Sequence, residues 1–278
     1  MQPEQQARRA DTFRALHSPG HPLIMPNPWD AGSARLLASL GFAALATTSG
    51  GFAATLGRRD GNVTRDEALE HAARLAAAVD VPVSADLENG FGRSPAEVAL
   101  TAAGAREAGL AGFSVEDATG NRERPIHDIG HAVERVAAAA EQAHATGLPR
   151  LVLTARAENH LHGRDDLADT IARLRAFEAA GADVVFAPGL TAARDIAAVV
   201  DAVGVPVSVL LLAGGPSVAE LAALGVSRVS TGSALAWAGY GAVVAAAQEL
   251  RDAGTTSWLA GAATGAKAAR GALTDQPG

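Results

Sequence analysis

Residues 81–118 read VPVSADLENGFGRSPAEVALTAAGAREAGLAGFSVEDA, and this stretch decides the fold. It begins with a β-rich run, Val81–Asp86, with Pro82 at the strand's entry, where a missing N–H does least harm. After a polar turn, Ser94 stands before Pro-Ala-Glu. A hydroxyl cap, a proline in the first turn and an acid three residues on mark a helix start. Apolar spacing at i, i+3, i+4 carries the helix over Pro95–Ala108, and Gly109 stops it. A second β-rich run, Gly112–Glu116, follows. Strand, helix and strand in that order make a parallel βαβ unit.

The unit recurs in both directions. β-rich runs occur at Leu23–Asn27, Ala43–Thr48, Val81–Asp86, Gly112–Glu116, Leu151–Arg156, Asp183–Ala187, Pro206–Leu211 and Ser227–Thr231, eight in all. Helical spacing recurs at Asp66–Val79, introduced by Thr64, and at Leu167–Ala179; Gly41, Gly147, Gly181 and Gly225 repeat the stop. Eight units in 278 residues predict an α/β fold of the closed (β/α)₈ TIM-barrel type. An open doubly wound sheet would place a glycine-rich nucleotide turn after its first strand, where Pro26-Asn27-Pro28-Trp29-Asp30 stands instead. The expected organisation is one domain over 1–278, with a helix within 1–20 and a Gly/Ala-rich tail that frays from about 265.

Composition narrows the function. Hydrophobic residues make up 48% and aromatics only 4%, so Ala, Val, Leu and Gly must build the core. Cysteine is absent, which excludes disulfides, thiolate metal sites and a cysteine nucleophile, and fits a cytoplasmic protein. A formal charge of −7 argues against nucleic acid or an anionic membrane as partner. The uncharged runs 202–219 and 229–247 are broken by glycine, proline and serine, and read as strand, turn and helix rather than membrane spans.

In a parallel barrel the strands' C-terminal ends share one face, which carries the chemistry. Asp86, Glu88, Glu116 and Asp117 place four carboxylates after two neighbouring strands. Crowded acids repel unless a cation or protons are taken up. An all-oxygen set favours Mg²⁺, with Mn²⁺ as the other candidate. The alternative is ion pairing of Glu116 and Asp117 with Arg122 and Arg124. Ser49-Gly50-Gly51, after the second run, reads either as a plain turn or as an anion nest of backbone N–H groups. Arg156 ends the fifth run, where a guanidinium faces a carboxylate, either the substrate's or that of Glu116. The turn at 229–234 keeps a phosphate-binding barrel in play, although no glycine turn with a lysine accompanies it. His127, His131, His160 and His162 read as surface residues.

Four segments in this order, TTSGGFAATLGRRDG (47–61), SADLENGFG (84–92), FSVEDA (113–118) and LTARAEN (153–159), resemble the isocitrate lyase/phosphoenolpyruvate mutase superfamily from about Pro26 to Ala238. The resemblance implies Asp86 as direct metal ligand, with Glu88, Glu116 and Asp60 holding the ion's water shell. It implies Ser49, Gly50 and Gly51 as the clamp for a substrate carboxylate, and Arg156 and Glu116 as catalytic groups. It implies a homo-oligomer, a dimer of dimers that exchanges a C-terminal helix. The superfamily's lyases carry a lysine–cysteine–histidine segment after the fourth strand. Here the loop reads ATGNRERP (118–125), without cysteine or lysine, and Ser208 stands for the family's asparagine on the seventh strand. The implied activity is Mg²⁺-dependent C–C cleavage of a small 2-oxo carboxylic acid through an enolate, with an oxaloacetate-like substrate. The alternatives are carbon–phosphorus chemistry of the mutase or phosphonopyruvate hydrolase kind, and a non-catalytic 2-oxo acid binder.

Overall fold

The computed structural model describes residues 2–273. Its strands are β1 (Leu23–Met25), β2 (Leu45–Ala46), β3 (Val83–Asp86), β4 (Gly112–Glu116), β5 (Val152–Arg156), β6 (Val184–Phe186), β7 (Val207–Leu210) and β8 (Arg228–Ser230). All ladders are parallel, and the eight strands run in the order β1-β8-β7-β6-β5-β4-β3-β2. The two ends of that sheet meet: the Ala46 N–H donates to the Pro26 carbonyl at 3.2 Å, and Asn27 Nδ2 donates to the Thr47 carbonyl at 2.9 Å. The result is a nearly closed eight-stranded barrel, as the repeated βαβ pattern predicts.

Helices α1 (Pro3–Ala15), α2 (Ala31–Ser39), α3 (Ser49–Thr55), α4 (Arg65–Ala78), α5 (Pro95–Glu107), α6 (Ile129–Ala143), α7 (Leu167–Ala179), α8 (Ala193–Ala202), α9 (Val218–Ala223), α10 (Ala234–Ala253) and α11 (Leu259–Ala272) complete the chain. The capping boxes read at Thr64 and Ser94 form, each with its acid bonded back to the cap's N–H. Two more form at Asp30 and Ser217. Gly41, Gly109, Gly147, Gly181 and Gly225 all have positive φ, the left-handed backbone that glycine adopts without penalty.

Helix α1 closes the barrel's N-terminal end. Phe13 is fully buried among Leu23, Ala111, Val152 and Val184, and a Cβ on Gly112 would come within 2.9 Å of its ring. Only glycine lets β4 pass so close. Arg9 donates to the carbonyls of Ala76 and Val79 and Gln6 to those of Arg106 and Leu110, which ties α1 to the C-terminal ends of α4 and α5 and the residues just beyond them.

The two uncharged runs resolve into β7, a turn and α9, and into β8 and α10. No described helix is long and apolar enough to cross a membrane. Residues 265–272, read from sequence as fraying, are helical within α11; residues 274–278 of that expected tail lie outside the described residues.

Candidate active site

The strands' C-terminal ends surround a cavity of about 200 Å³ lined by Asn27, Thr48, Ser49, Asp60, Asp86 and Arg156 among others. Arg156 organises it. As the last residue of β5 it pairs in register with Glu116 at the end of β4. Its Nη1 donates to Asp86 Oδ1 at 2.9 Å and its Nε to Glu158 Oε1 at 2.8 Å, while Nη2 lies 3.2 Å from Glu116 Oε2. The guanidinium also stands 5.5 Å from the centroid of the Phe186 ring. Burial works against its charge, yet Glu158, Asp86 and Glu116 hold its pKa well above the ordinary arginine value.

One guanidinium cannot neutralise this rim. Asp86, Glu88, Glu116 and Glu158 crowd around it, and Asp60 faces them across the cavity. Burial, then Asp86 and Asp60, push the Glu88 carboxyl up to about 8. Burial and Glu158 raise Glu116 well above the usual carboxylate range. Acids pushed toward the protonated form by burial and by one another mark a place where a cation would be stabilised.

The local fold puts these groups in place. The Asp86 N–H donates to Thr47 Oγ1 at 2.9 Å, and the Glu88 N–H to Asp86 Oδ1 at 3.2 Å. Glu88 has φ +46°, a left-handed conformation that costs a non-glycine residue about 1–2 kcal/mol. Buried Arg135 of α6 keeps the loop in that shape. It donates to the carbonyls of Gly92 and Arg93, both at 2.8 Å, and to that of Asn89.

Ser49-Gly50-Gly51 is neither a plain turn nor a loop nest: these residues form the first turn of α3, with Thr48 as N-cap. The first amides of a helix have no backbone partner within it; here the Gly51 N–H donates to Thr48 Oγ1 at 3.3 Å, which leaves those of Ser49 and Gly50 at the helix start. Both glycines are packing requirements. A Cβ on Gly50 would sit 2.8 Å from Ser233 Oγ, and one on Gly51 2.5 Å from Thr48 Cγ2. Thr48 Oγ1 and Ser233 Oγ share a hydrogen bond of 2.7 Å that ties α3 to the loop after β8.

Two sequence readings are corrected. Asp117 does not join the acid cluster: its Oδ1 accepts from the Glu158 N–H at 2.8 Å and its Oδ2 from Arg173 Nη1 at 3.0 Å. Burial, against those two bonds, places its pKa at about 6. Nor do Arg122 and Arg124 neutralise Glu116 and Asp117. Both are exposed on a loop that closes on itself, through Thr119 N–H to the Pro125 carbonyl at 2.8 Å and Thr119 Oγ1 to the Arg124 carbonyl. Glu158 stands at the mouth just after β5, where the sequence places it with the other strand-end residues but gives it no role; the structure adds the role, since its Oε1 accepts from Arg156 Nε.

Among the described residues, no three acidic or imidazole groups converge as a ready-made metal cage. Arg156 draws Asp86, Glu116 and Glu158 toward itself. Mg²⁺ needs no such cage, because it keeps most of its waters and takes one or two carboxylates directly. An oxygen-only rim with unneutralised acid suits it.

The phosphoenolpyruvate phosphomutase family model matches residues 13–251. A crystal structure of "a putative lyase/mutase" from Burkholderia cenocepacia J2315 is similar at TM-score 0.93 and 54% identity, with 98% of each chain covered. An uncharacterised protein of Mycobacterium tuberculosis is 32% identical over 87% of this chain and 89% of its own. The oxaloacetate decarboxylase of Paraburkholderia xenovorans is 35% identical over 76% of this chain and 71% of its own. These matches place the chain in the phosphoenolpyruvate phosphomutase family of the isocitrate lyase/phosphoenolpyruvate mutase superfamily.

Proposed function

We propose that this protein is a Mg²⁺-dependent lyase that cleaves a C–C bond in a small 2-oxo di-acid, with decarboxylation of an oxaloacetate-like acid as the reaction best suited to its site. The observation that carries this reading is an acid-rich rim around one guanidinium, beside a β4 loop that supplies neither cysteine nor lysine. Asp86 would hold the ion directly, with Glu88, Glu116 and Asp60 holding its water shell. When bound, the ion supplies Lewis-acid polarisation of the 2-oxo oxygen.

The chain's own groups do the rest. The amides of Ser49 and Gly50 and the Ser49 hydroxyl hold the substrate carboxylate, Gly51 gives it room to approach with its own N–H bound to Thr48 Oγ1, and Arg156 steadies charge that grows on the enolate oxygen. Because these donors are fixed before reaction, little reorganisation is needed. Loss of CO₂ from the carbon next to the oxo group leaves an electron pair that becomes the enolate, and no strong acid is required to start it. A lyase that must protonate a leaving group does need one, which is why the missing loop cysteine favours decarboxylation. The decisive experiment mixes the protein with Mg²⁺ and a panel of 2-oxo acids. Release of pyruvate and CO₂ from a di-acid is expected, and silence across the panel sinks the proposal.

The family match itself favours a second reading, carbon–phosphorus chemistry. Phosphorus NMR separates the two: new phosphate or enol-phosphate signals from phosphonopyruvate select the second.

The raised Glu88 carboxyl gives a pH signature. Its folded pKa of about 8 lies above the usual 4.5, so the metal-free fold loses stability as pH rises between those values. A cation needs the ionised form. Stabilisation by Mg²⁺, read as a shift in Tm, should therefore be small at pH 6, grow toward pH 8 and level off above it; a shift independent of pH contradicts the assignment of Glu88.

Assembly belongs to the same proposal. Helix α10 exposes Trp237, Tyr240, Val243, Val244 and Leu250, a surface too apolar to face water. Exchange of the C-terminal helices within a dimer of dimers would cover it. Light scattering should give a particle of four chains, and a monomer at micromolar concentration counts against the exchange.

A further inference from the structure

The inside of this barrel is not packed as barrel interiors usually are. Layers of Val, Ile and Leu normally fill it. Here the cavity continues inward from the acid rim past Ala46, Ser84, Ser114 and Ser230, and it ends at Arg228. Arg228 opens β8, and it shares the inward face with Ser230, while Val229 between them packs against the surrounding helices. The side chain is only 3% exposed.

All the partners of this guanidinium are neutral. Nε donates to Ser208 Oγ at 2.9 Å, and Nη1 to Thr154 Oγ1 at 3.1 Å and His17 Nε2 at 3.3 Å. His17 is itself buried, which pushes its pKa to about 3, so its ring is uncharged and accepts that bond. Arg228 Nη2 makes no hydrogen bond among the described residues, and no carboxylate there lies within ion-pair distance. The hydroxyls of Ser84, Ser114 and Ser230 likewise have no hydrogen bond among the described residues. Burial, helped by Arg156, lowers the Arg228 pKa only to about 9, so it carries its charge at neutral pH. A buried cation without a counter-ion costs several kcal/mol, and proteins pair such charges.

We infer that Arg228, with the hydroxyls of Ser84, Ser114 and Ser230, is an anion-binding subsite at the floor of the barrel cavity. Its occupant is a small anion, either the far carboxylate of a substrate or a free inorganic ion. The first source rests on the 2-oxo di-acid reading above. A di-acid would then span the cavity, with one carboxylate at the rim and the other at Arg228, and a mono-acid would leave the floor uncompensated. Selection between the two follows from charge rather than from size.

The tests read binding and need no turnover, so their failure is separable from failure of the proposed reaction. Crystals of the unaltered protein soaked in bromide should show an anomalous peak beside Arg228 Nη2. In calorimetry with Mg²⁺ present, malate should bind at least about tenfold more tightly than lactate, the worth of one charged hydrogen bond or more. Arg228→Met should bring the two acids close to parity. Bromide at Arg228 together with the malate preference assigns the site to the substrate's carboxylate. Bromide there with equal binding of malate and lactate assigns it to a free anion. Absence of bromide with no malate preference, or a preference that survives in Arg228→Met, overturns the inference. Should that variant fail to fold, the bromide and malate–lactate measurements on the unaltered protein decide alone.

Discussion

Replacing Arg156 with methionine is expected to cost about 3–5 kcal/mol of stability in metal-free protein at pH 8, the usual penalty for removing one partner of a buried ion pair. The reason is arithmetic of charge. Asp86, Glu116 and Glu158 all converge on this one guanidinium, at 2.9, 3.2 and 2.8 Å. Without it the rim holds only acids, and burial with mutual repulsion, which already raise the Glu88 and Glu116 carboxyls, must raise them further. Two consequences separate this from ordinary loss of packing. The deficit should shrink as pH falls toward 5, because the released carboxylates can then be neutral. Added Mg²⁺ should recover more stability in the variant than in the parent, since a divalent ion replaces the lost charge. On whichever panel acid the parent turns over, kcat/KM should drop by about 10²–10³, as for removal of a fixed donor to a developing oxyanion. A denaturation series in urea at pH 5 and pH 8, with and without Mg²⁺, reads all of this. A variant equally destabilised at both pH values would show that Arg156 is merely a packing element.

The barrel was legible because its signals are local and repeated. A hydroxyl cap with an acid three residues on, a glycine stop and a short β-rich run each report on neighbouring residues, and the structure places every strand end within two residues of the predicted one. The site was legible only as far as chain order reaches. Strand ends gather Asp86, Glu88, Glu116 and Arg156 because parallel topology obliges them to share a face. Direction along that face is another matter. Asp117 follows Glu116 directly, and successive side chains on extended backbone point to opposite sides, so one reaches the cavity and the next reaches Arg173 of α7. Ser49–Gly51 misled for a different cause. Two glycines lower helix propensity, but tight contacts with Ser233, Asp60 and Thr48 require them in the first turn of α3, so tertiary packing overrides local preference. Arg228 was invisible as a site residue, because nothing in SRVST announces that its partners across the barrel are hydroxyls and a neutral imidazole.

The adjacent roles of Asp86 and Asp117 lead to the sharpest expected contrast. Asp86→Asn keeps the shape of the side chain, and its oxygen can still accept from Arg156 and from the Glu88 N–H, so the fold should survive with little change in Tm. What it loses is the charge for a direct ligand. Mg²⁺-linked stabilisation should vanish, and turnover should fall by about 10³ or more, the equivalent of several kcal/mol of Lewis-acid assistance. Asp117→Asn should do the reverse. One of its oxygens becomes an NH₂ group that meets either the Glu158 N–H or Arg173, donor against donor, at a cost of about 1–3 kcal/mol. Stability should therefore drop while the Mg²⁺-induced rise in Tm stays at its parental size. The penalty should also fade below pH 6, where the parental Asp117 is itself protonated. Thermal denaturation of both variants across a Mg²⁺ titration at pH 8 makes the comparison in one experiment. Were Asp86→Asn to keep its full response to Mg²⁺, the ion would have to sit elsewhere, and the ligand role assigned to Asp86 would be wrong however well the barrel is formed.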